Sequence, residues 1–428
     1  MRRLAAVLLA TALSVSFARA QSFLFDDSEP PEEASDLPTP FSPLSEVEPG
    51  TALKGLSEDS FIRDTSLSLR PRFYYRSVRN SQGVQDTFAG GGAVDLTTGW
   101  WKGFLRIGVT GYTTQPLVAV KNNNRSGLVE SDGDGFFTLG QAWVKLRTGP
   151  ATATLYRQTL NLPFINMNDA RMIPNTFEAY QVKAEVWRDV QVNAGYITQM
   201  KGRDTPDFAP MSEIAGAPQV DRGTAFAGFV AGKETDAYLG AMSQLTPDLF
   251  CTSYVQTGYT WNVSELFELR GDLQIADQRS VGAEYVGSFA TQLYGGRLSA
   301  SYGGALFSLA YTNTARDSNL RNPFGADPAF NMLMISDFAQ AGEQSYGFGV
   351  SYNFAKIGLS GLTAFSNYVY GALPQGDWEQ EINATVDYRI LKGPLNNLWL
   401  RLRYAFNEPG SGVPVQDFRV ILNYTYTF

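Results

Sequence analysis

Histidine is absent from this chain and cysteine occurs once, at Cys251. Without an imidazole or a second thiol there is no Ser–His or Cys–His pair, no histidine-based metal site and no internal disulfide. Catalysis by those groups is excluded, and the chain reads as a non-enzyme with no cofactor. Also missing beyond the first residues is any run of 18 or more apolar residues, the length a membrane-crossing helix needs. Charged residues are scarce at 18%, yet mean hydropathy is only −0.17. Low charge with near-zero hydropathy fits a chain in which apolar and polar residues alternate.

The formal charge of −8 is concentrated at one end. Residues 1–60 hold ten acids and four bases, leaving 32 acids against 30 bases in the rest. A nearly neutral body offers no basic surface for nucleic acid. The first residues read as a secretory signal over 1–20: Arg2 and Arg3, the apolar run Leu4 to Leu13, then Ala18-Arg19-Ala20. Residues 21–60 are rich in Pro, Glu, Asp and Ser and cannot bury enough apolar surface to offset their ordering entropy. They are expected to be a disordered or periplasmic extension.

What is abundant is Gly (41), Phe (28) and Tyr (21), arranged with a period of two. In 398–406, Leu398, Leu400, Leu402, Tyr404 and Phe406 share one face while Trp399, Arg401, Arg403 and Ala405 share the other. The same holds for 418–428, which ends on Phe428, and for 65–76, where Arg70, Arg72, Tyr74 and Arg76 oppose Leu67, Leu69, Phe73 and Tyr75. About eighteen such segments begin near 63, 84, 101, 137, 150, 177, 190, 223, 234, 248, 263, 289, 304, 343, 357, 379, 398 and 416.

Their connections alternate in length. Tight turns are read at Thr98-Gly99-Trp100, Thr148-Gly149-Pro150, Arg188-Asp189, Gly232-Lys233, Trp261-Asn262, Gly303-Gly304 and Ala355-Lys356. Between them lie mostly longer links: 77–83, 116–136, 160–176, 201–222, 243–247, 277–288, 316–342, 371–378 and 408–415. An up-and-down barrel with short periplasmic turns and longer outer loops has this rhythm, whereas Greek-key crossovers would break it. The expected fold is all-β: a transmembrane antiparallel up-and-down β-barrel of eighteen strands over 61–428, embedded in outer-membrane lipid.

Two features carry chemistry. The third long link contains LNLPFINMNDARMIPNTFEAY, apolar and proline-stiffened where a water-exposed loop should be polar. It is expected to pack inside the barrel as a constriction, with Asn168, Asp169 and Arg171 at its polar tip and Pro174 behind them. Strand parity then aims Arg70, Arg72, Arg106, Lys145, Arg147, Arg401, Arg403 and Arg419 at the lumen. If first and last strands meet, Arg70, Arg72, Arg401, Arg403 and Arg419 cluster on one wall. Such a row of guanidinium groups attracts carboxylates; the bland alternative is that it merely pairs with Asp387, Asp417 or loop carboxylates. Asp327 and Asp337 are candidates for an acidic counter-wall. Asp132-Gly133-Asp134-Gly135 lacks the later Glu of a calcium loop and reads as a plain loop.

The segments MNDARMIPNTFEA (167–179), ISDFAQAGEQSYGFGVSYNFAKIGLSGLTAFSNYVYG (335–371), EQEINATVDYRILKGPLNNLWLRLRYAF (379–406) and DFRVILNYTYTF (417–428) resemble the OprD family of substrate-specific outer-membrane porins. The resemblance implies an eighteen-stranded barrel, monomeric or weakly trimeric, whose third and seventh loops fold inward to face a basic ladder. It also implies passage of small carboxylates. By matched position the ladder includes Arg401, Arg403, Lys145 and Arg70, and the loop match centres on Asp169, Arg171 and Pro174. The sequence departs at Asn367, where a basic residue is expected, and at Ala170, where glycine is usual. The combined expectation is a passive outer-membrane channel for small anionic solutes, with Phe428 as the signal for the barrel-assembly machinery. The alternatives are a non-specific porin and a non-conducting structural barrel.

Overall fold

The computed structural model describes residues 60–118, 126–233, 235–264 and 266–428. The expected signal over 1–20 and the acidic segment up to 59 lie outside the described residues.

Alternating residues with turn signals between them produce eighteen antiparallel strands closed into one barrel. In chain order these are β1 (Ser66–Asn80), β2 (Gly83–Thr97), β3 (Leu105–Pro116), β4 (Phe136–Thr148), β5 (Ala151–Gln158) and β6 (Thr176–Trp187). There follow β7 (Val190–Lys201), β8 (Thr224–Gly232), β9 (Ala237–Thr246), β10 (Phe250–Ser264), β11 (Phe267–Ser280) and β12 (Ala290–Tyr302). The last six are β13 (Ala305–Thr314), β14 (Gln344–Asn353), β15 (Leu362–Ala372), β16 (Trp378–Arg389), β17 (Trp399–Pro409) and β18 (Val415–Asn423). Each strand pairs with the next, and β1 closes on β18 from Arg72↔Asn423 to Arg79↔Gln416. Closure leaves no unpaired edge, which a bilayer requires of any sheet that spans it.

The two faces are inverted relative to a water-soluble protein. Leu69, Phe73, Leu273, Leu400, Leu402 and Tyr404 are among the large apolar residues that point outward, Leu273 being 63% exposed. Many inward positions are polar or charged: Ser66, Ser68, Arg70 and Arg72 on β1, and Asn383, Thr385 and Asp387 on β16, are all buried. Apolar-out and polar-in is the signature of a lipid-facing barrel.

Strand starts lie within five residues of expectation, and the differences have local causes. The first outer link is a two-residue turn at Ser81-Gln82 and not a loop over 77–83, because Asn80 Oδ1 accepts the Gln82 N–H at 2.9 Å and Gly83 takes φ +106°. Trp261-Asn262 is not a turn. β10 runs on to Ser264, whose hydroxyl accepts the N–H of Phe267 at 3.1 Å and starts the reversal there. Ala355-Lys356 sits in a 3-10 turn over Phe354–Ile357, capped by Asn353, which delays β15 to Leu362. Asp132 Oδ1 closes a local turn by accepting the Asp134 N–H at 3.0 Å.

Candidate functional site

The third loop (159–175) leaves β5 and turns into the barrel. Its apolar residues explain the direction. Leu160, Leu162, Phe164, Ile165, Met172 and Ile173 are all buried, and the first four join one cluster with Phe226, Met242 and Tyr254 from the inner face of β8, β9 and β10. Asn161–Leu162 and Ile165–Asn166 form a tight hairpin whose corner, Phe164, is held at φ 63° with its ring edge-on to Tyr254. A left-handed phenylalanine is costly, and packing on both sides keeps it there.

The loop touches opposite walls. On one side Gln244 of β9 donates to the carbonyl of Pro163. On the other, Arg72 of β1 grips Asp169 with two bonds of 2.7 and 2.9 Å and also donates to the carbonyl of Arg171, while Tyr74 donates to that of Ala170. β1 and β9 are nearly half the circuit apart, so the loop crosses the lumen. Pro174 is buried, and its carbonyl accepts the ammonium of Lys201 at 3.1 Å.

The seventh loop (315–343) meets it there. Asn166 donates to the carbonyl of Ala326 at 2.9 Å and accepts that residue's N–H at 2.8 Å. The approach is so close that a Cβ on Gly325 would lie 2.6 Å from Asn166 Oδ1. Acids on the inner face of β16 seat the loop: Glu381 accepts the N–H groups of Met334, Ile335 and Ser336, and Glu379 accepts from the Ser336 hydroxyl and the Gln340 amide.

β1, β17 and β18 bring five of the expected cations onto one wall. Arg403 faces Arg419 and Arg419 faces Arg76, so these three occupy one rung. Arg401 opposes Asp387 one rung below, and Arg72 lies a further rung down. Most of these charges are paired: Arg70 with Asp95, Arg72 with Asp169, Arg401 with Asp387, and Arg76 and Arg419 both with Asp417. Arg403 differs. Its Nε donates to the Thr385 hydroxyl at 3.1 Å, and among the described residues no carboxylate pairs with it. Arg106, Lys145 and Arg147 lie elsewhere, at the short-turn end. Arg106 donates to the Thr98 carbonyl, Lys145 lies 5.3 Å over the ring of Trp143, and Arg147 is exposed and stacks 4.1 Å over Trp100. At Asn367 the missing cation is replaced by an amide pair with Asn383 at 3.1 Å.

Between the two loops and this wall is a cavity of about 490 Å³ lined by Arg171, Arg203, Arg403, Arg419, Asn168 and Asp337, with Met334 and Ile335 beside them. Among the described residues Arg171 donates only to the neighbouring Ala170 carbonyl, and burial first, then the guanidinium groups of Arg76, Arg419 and Arg203, push its pKa well down. Arg203, on the fourth loop (202–223), donates to Asn168 Oδ1 at 3.0 Å. Burial likewise lowers its pKa, against the pull of Asp204. Of the two candidate acids only Asp337 lines the cavity, its side chain open to that space; enclosure by the surrounding barrel raises its pKa although Asn322 donates to it. Asp327 is 2% exposed inside the seventh loop, where burial, with Asp337 adding, pushes its pKa up to about 8. Sequence reading missed Arg203, which sits in a loop without periodicity. It also missed Glu379 and Glu381, which strand parity places on the same face as Asp387.

A closed, lipid-facing barrel with a polar lumen narrowed by two inward loops is an outer-membrane channel. The family model for outer membrane porins of the OprD family matches residues 59–428, and the chain belongs to that family. Porin D of Pseudomonas aeruginosa is 23% identical over 411 residues, covering 85% of this chain and 91% of that protein. The porin-like protein GalP of Pseudomonas putida is 22% identical, covering 90% and 97%. Among solved structures, P. aeruginosa OccK9 (OpdG) superposes with a TM-score of 0.81 at 24% identity, covering 86% of this chain and all of that one. P. aeruginosa OpdK with vanillate gives 0.77 at 21%, with the same coverage.

Proposed function

We propose that this substrate-specific porin passes small organic anions, carboxylates above all, down their concentration gradients. The observation that carries the reading is the charge balance of the lumen cavity: Arg403 and Arg171 reach it with no carboxylate bound to them among the described residues. Guanidinium forks left open in a narrow pore bind carboxylates in bidentate fashion and lower the barrier for anions. OpdK, a structural relative, has been solved with vanillate, itself a carboxylate. The paired ladder residues Arg70, Arg72, Arg401 and Arg419 support the same field more weakly, while Arg106, Lys145 and Arg147 act at the periplasmic mouth as an exit funnel. Phe428, whose ring packs edge-on with Tyr426 at 4.7 Å, serves as the assembly signal, and residues 1–20 direct export.

Reversal potential across a salt gradient in a planar bilayer tests the reading. The wild-type channel is expected to prefer chloride. Arg403→Gln removes an unpaired charge near the solute path, worth about 1 kcal/mol at an intermediate dielectric, and lowers the anion-to-cation permeability ratio roughly five-fold. A wild-type channel that prefers cations overturns the proposal.

A further inference from the structure

We infer that the lumen cavity selects solutes carrying two anionic groups, and that Arg203 on the fourth loop is the specificity-determining residue for the second group. The inference rests on the reading of the channel as an anion pathway.

Three guanidinium groups that line the cavity, Arg171, Arg203 and Arg403, form no ion pair with a carboxylate among the described residues, although the neighbouring Asp204 attracts Arg203 and offsets one charge. Arg419 shares Asp417 with Arg76, so that trio adds a further positive charge. Asp337 is the one acid lining the cavity among the described residues. The excess is therefore at least two positive charges. A single carboxylate occupies one fork and leaves the others facing each other unrelieved.

The three open groups also come from independent parts of the chain: Arg171 from the third loop, Arg203 from the fourth and Arg403 from β17. Arg203 is aimed by the bond it donates to Asn168 Oδ1, which leaves the remaining donors of its fork for a solute. Met334 and Ile335 give the same cavity an apolar flank between charged groups. A cavity of about 490 Å³ is within the range that holds small ligands. The chemistry that satisfies all of this is a compact dicarboxylate with a short apolar spacer.

The test compares chain-length-matched pairs, butanoate with succinate and hexanoate with adipate, by uptake into liposomes holding the full-length channel. Arg203→Gln is expected to slow the dicarboxylates by about five-fold or more and the monocarboxylates by less than about two-fold. Arg203→Lys, which keeps the charge but not the fork, should fall between. Asn168→Ala, which frees the Arg203 side chain without changing charge, should weaken dicarboxylate uptake in the same direction. Equal slowing of both solute classes by Arg203→Gln, or none in either, overturns the inference. Strand circular dichroism of each variant confirms that the barrel has formed. A cation-preferring wild type would sink the anion pathway itself; an anion-preferring channel that does not separate the two classes would sink only the dicarboxylate inference.

Discussion

Replacing Asp169 by Asn strikes the bond that anchors the third loop to the barrel wall. The Arg72–Asp169 pair is almost fully enclosed, with the two side chains 6% and 1% exposed, and has two parallel bonds. Breaking a buried pair by removing one partner typically costs about 3–5 kcal/mol. Here the loss is smaller, since Arg72 keeps Asn423 Oδ1 at 2.7 Å and the Arg171 carbonyl at 2.6 Å, and an asparagine retains one acceptor oxygen. About 2 kcal/mol is a reasonable net value, and it falls on the loop's seat, because the strands keep their own ladder. That raises the population of the displaced loop roughly thirty-fold. It also bares the charge of Arg72. Single-channel recording should therefore show larger or more frequent excursions above the wild-type current together with stronger anion selectivity. If conductance, noise and selectivity all match wild type, then Asp169 does not hold the loop and the reasoning from geometry to gating fails.

The seventh loop has an equivalent test. Glu381→Gln leaves three backbone N–H groups with a neutral, single-oxygen acceptor, and limited proteolysis should cut within 316–342 several times faster than in wild type at unchanged barrel content. Asp327 carries a pH signature. Its pKa is raised from 3.8 to about 8 by burial, so the folded loop holds a proton that an unfolded one releases. Stability then declines as pH rises between those values and levels off above the upper one. Asp327→Asn should flatten that decline in thermal melts at pH 5, 7 and 9; an unchanged slope would show that the carboxyl is ionised throughout.

Strand parity made the barrel readable because each strand meets lipid on one side and water or polar side chains on the other. Leu400, Arg401, Leu402 and Arg403 declare their faces without any knowledge of their neighbours. The third loop was legible for the same reason: apolar residues such as Ile165 and Ile173 in a link must pack on something. Asp387, Asp417 and the loop carboxylates were legible as partners for the arginines, and they do pair with them, but which arginine stays open was not. Arg401 and Arg403 are two residues apart on one face, yet Asp387 neutralises the first and leaves the second open, a distinction set by the register of β16 against β17. The reversal lies at Ser264 and not at Trp261-Asn262 because the Phe267 N–H, donated to the Ser264 hydroxyl, starts it there. Arg203 had no pattern around it, since a loop residue's target depends on where the other loops come to rest.

Asn166 and Ala326, 160 residues apart in sequence, exchange two hydrogen bonds across the lumen. The two inward loops are thus one piece of interior architecture supplied by distant stretches of chain. A barrel that lacks either loop therefore lacks this cross-lumen contact. Grafting one loop from a relative without its partner is expected to break this contact, whereas moving the pair together should keep it.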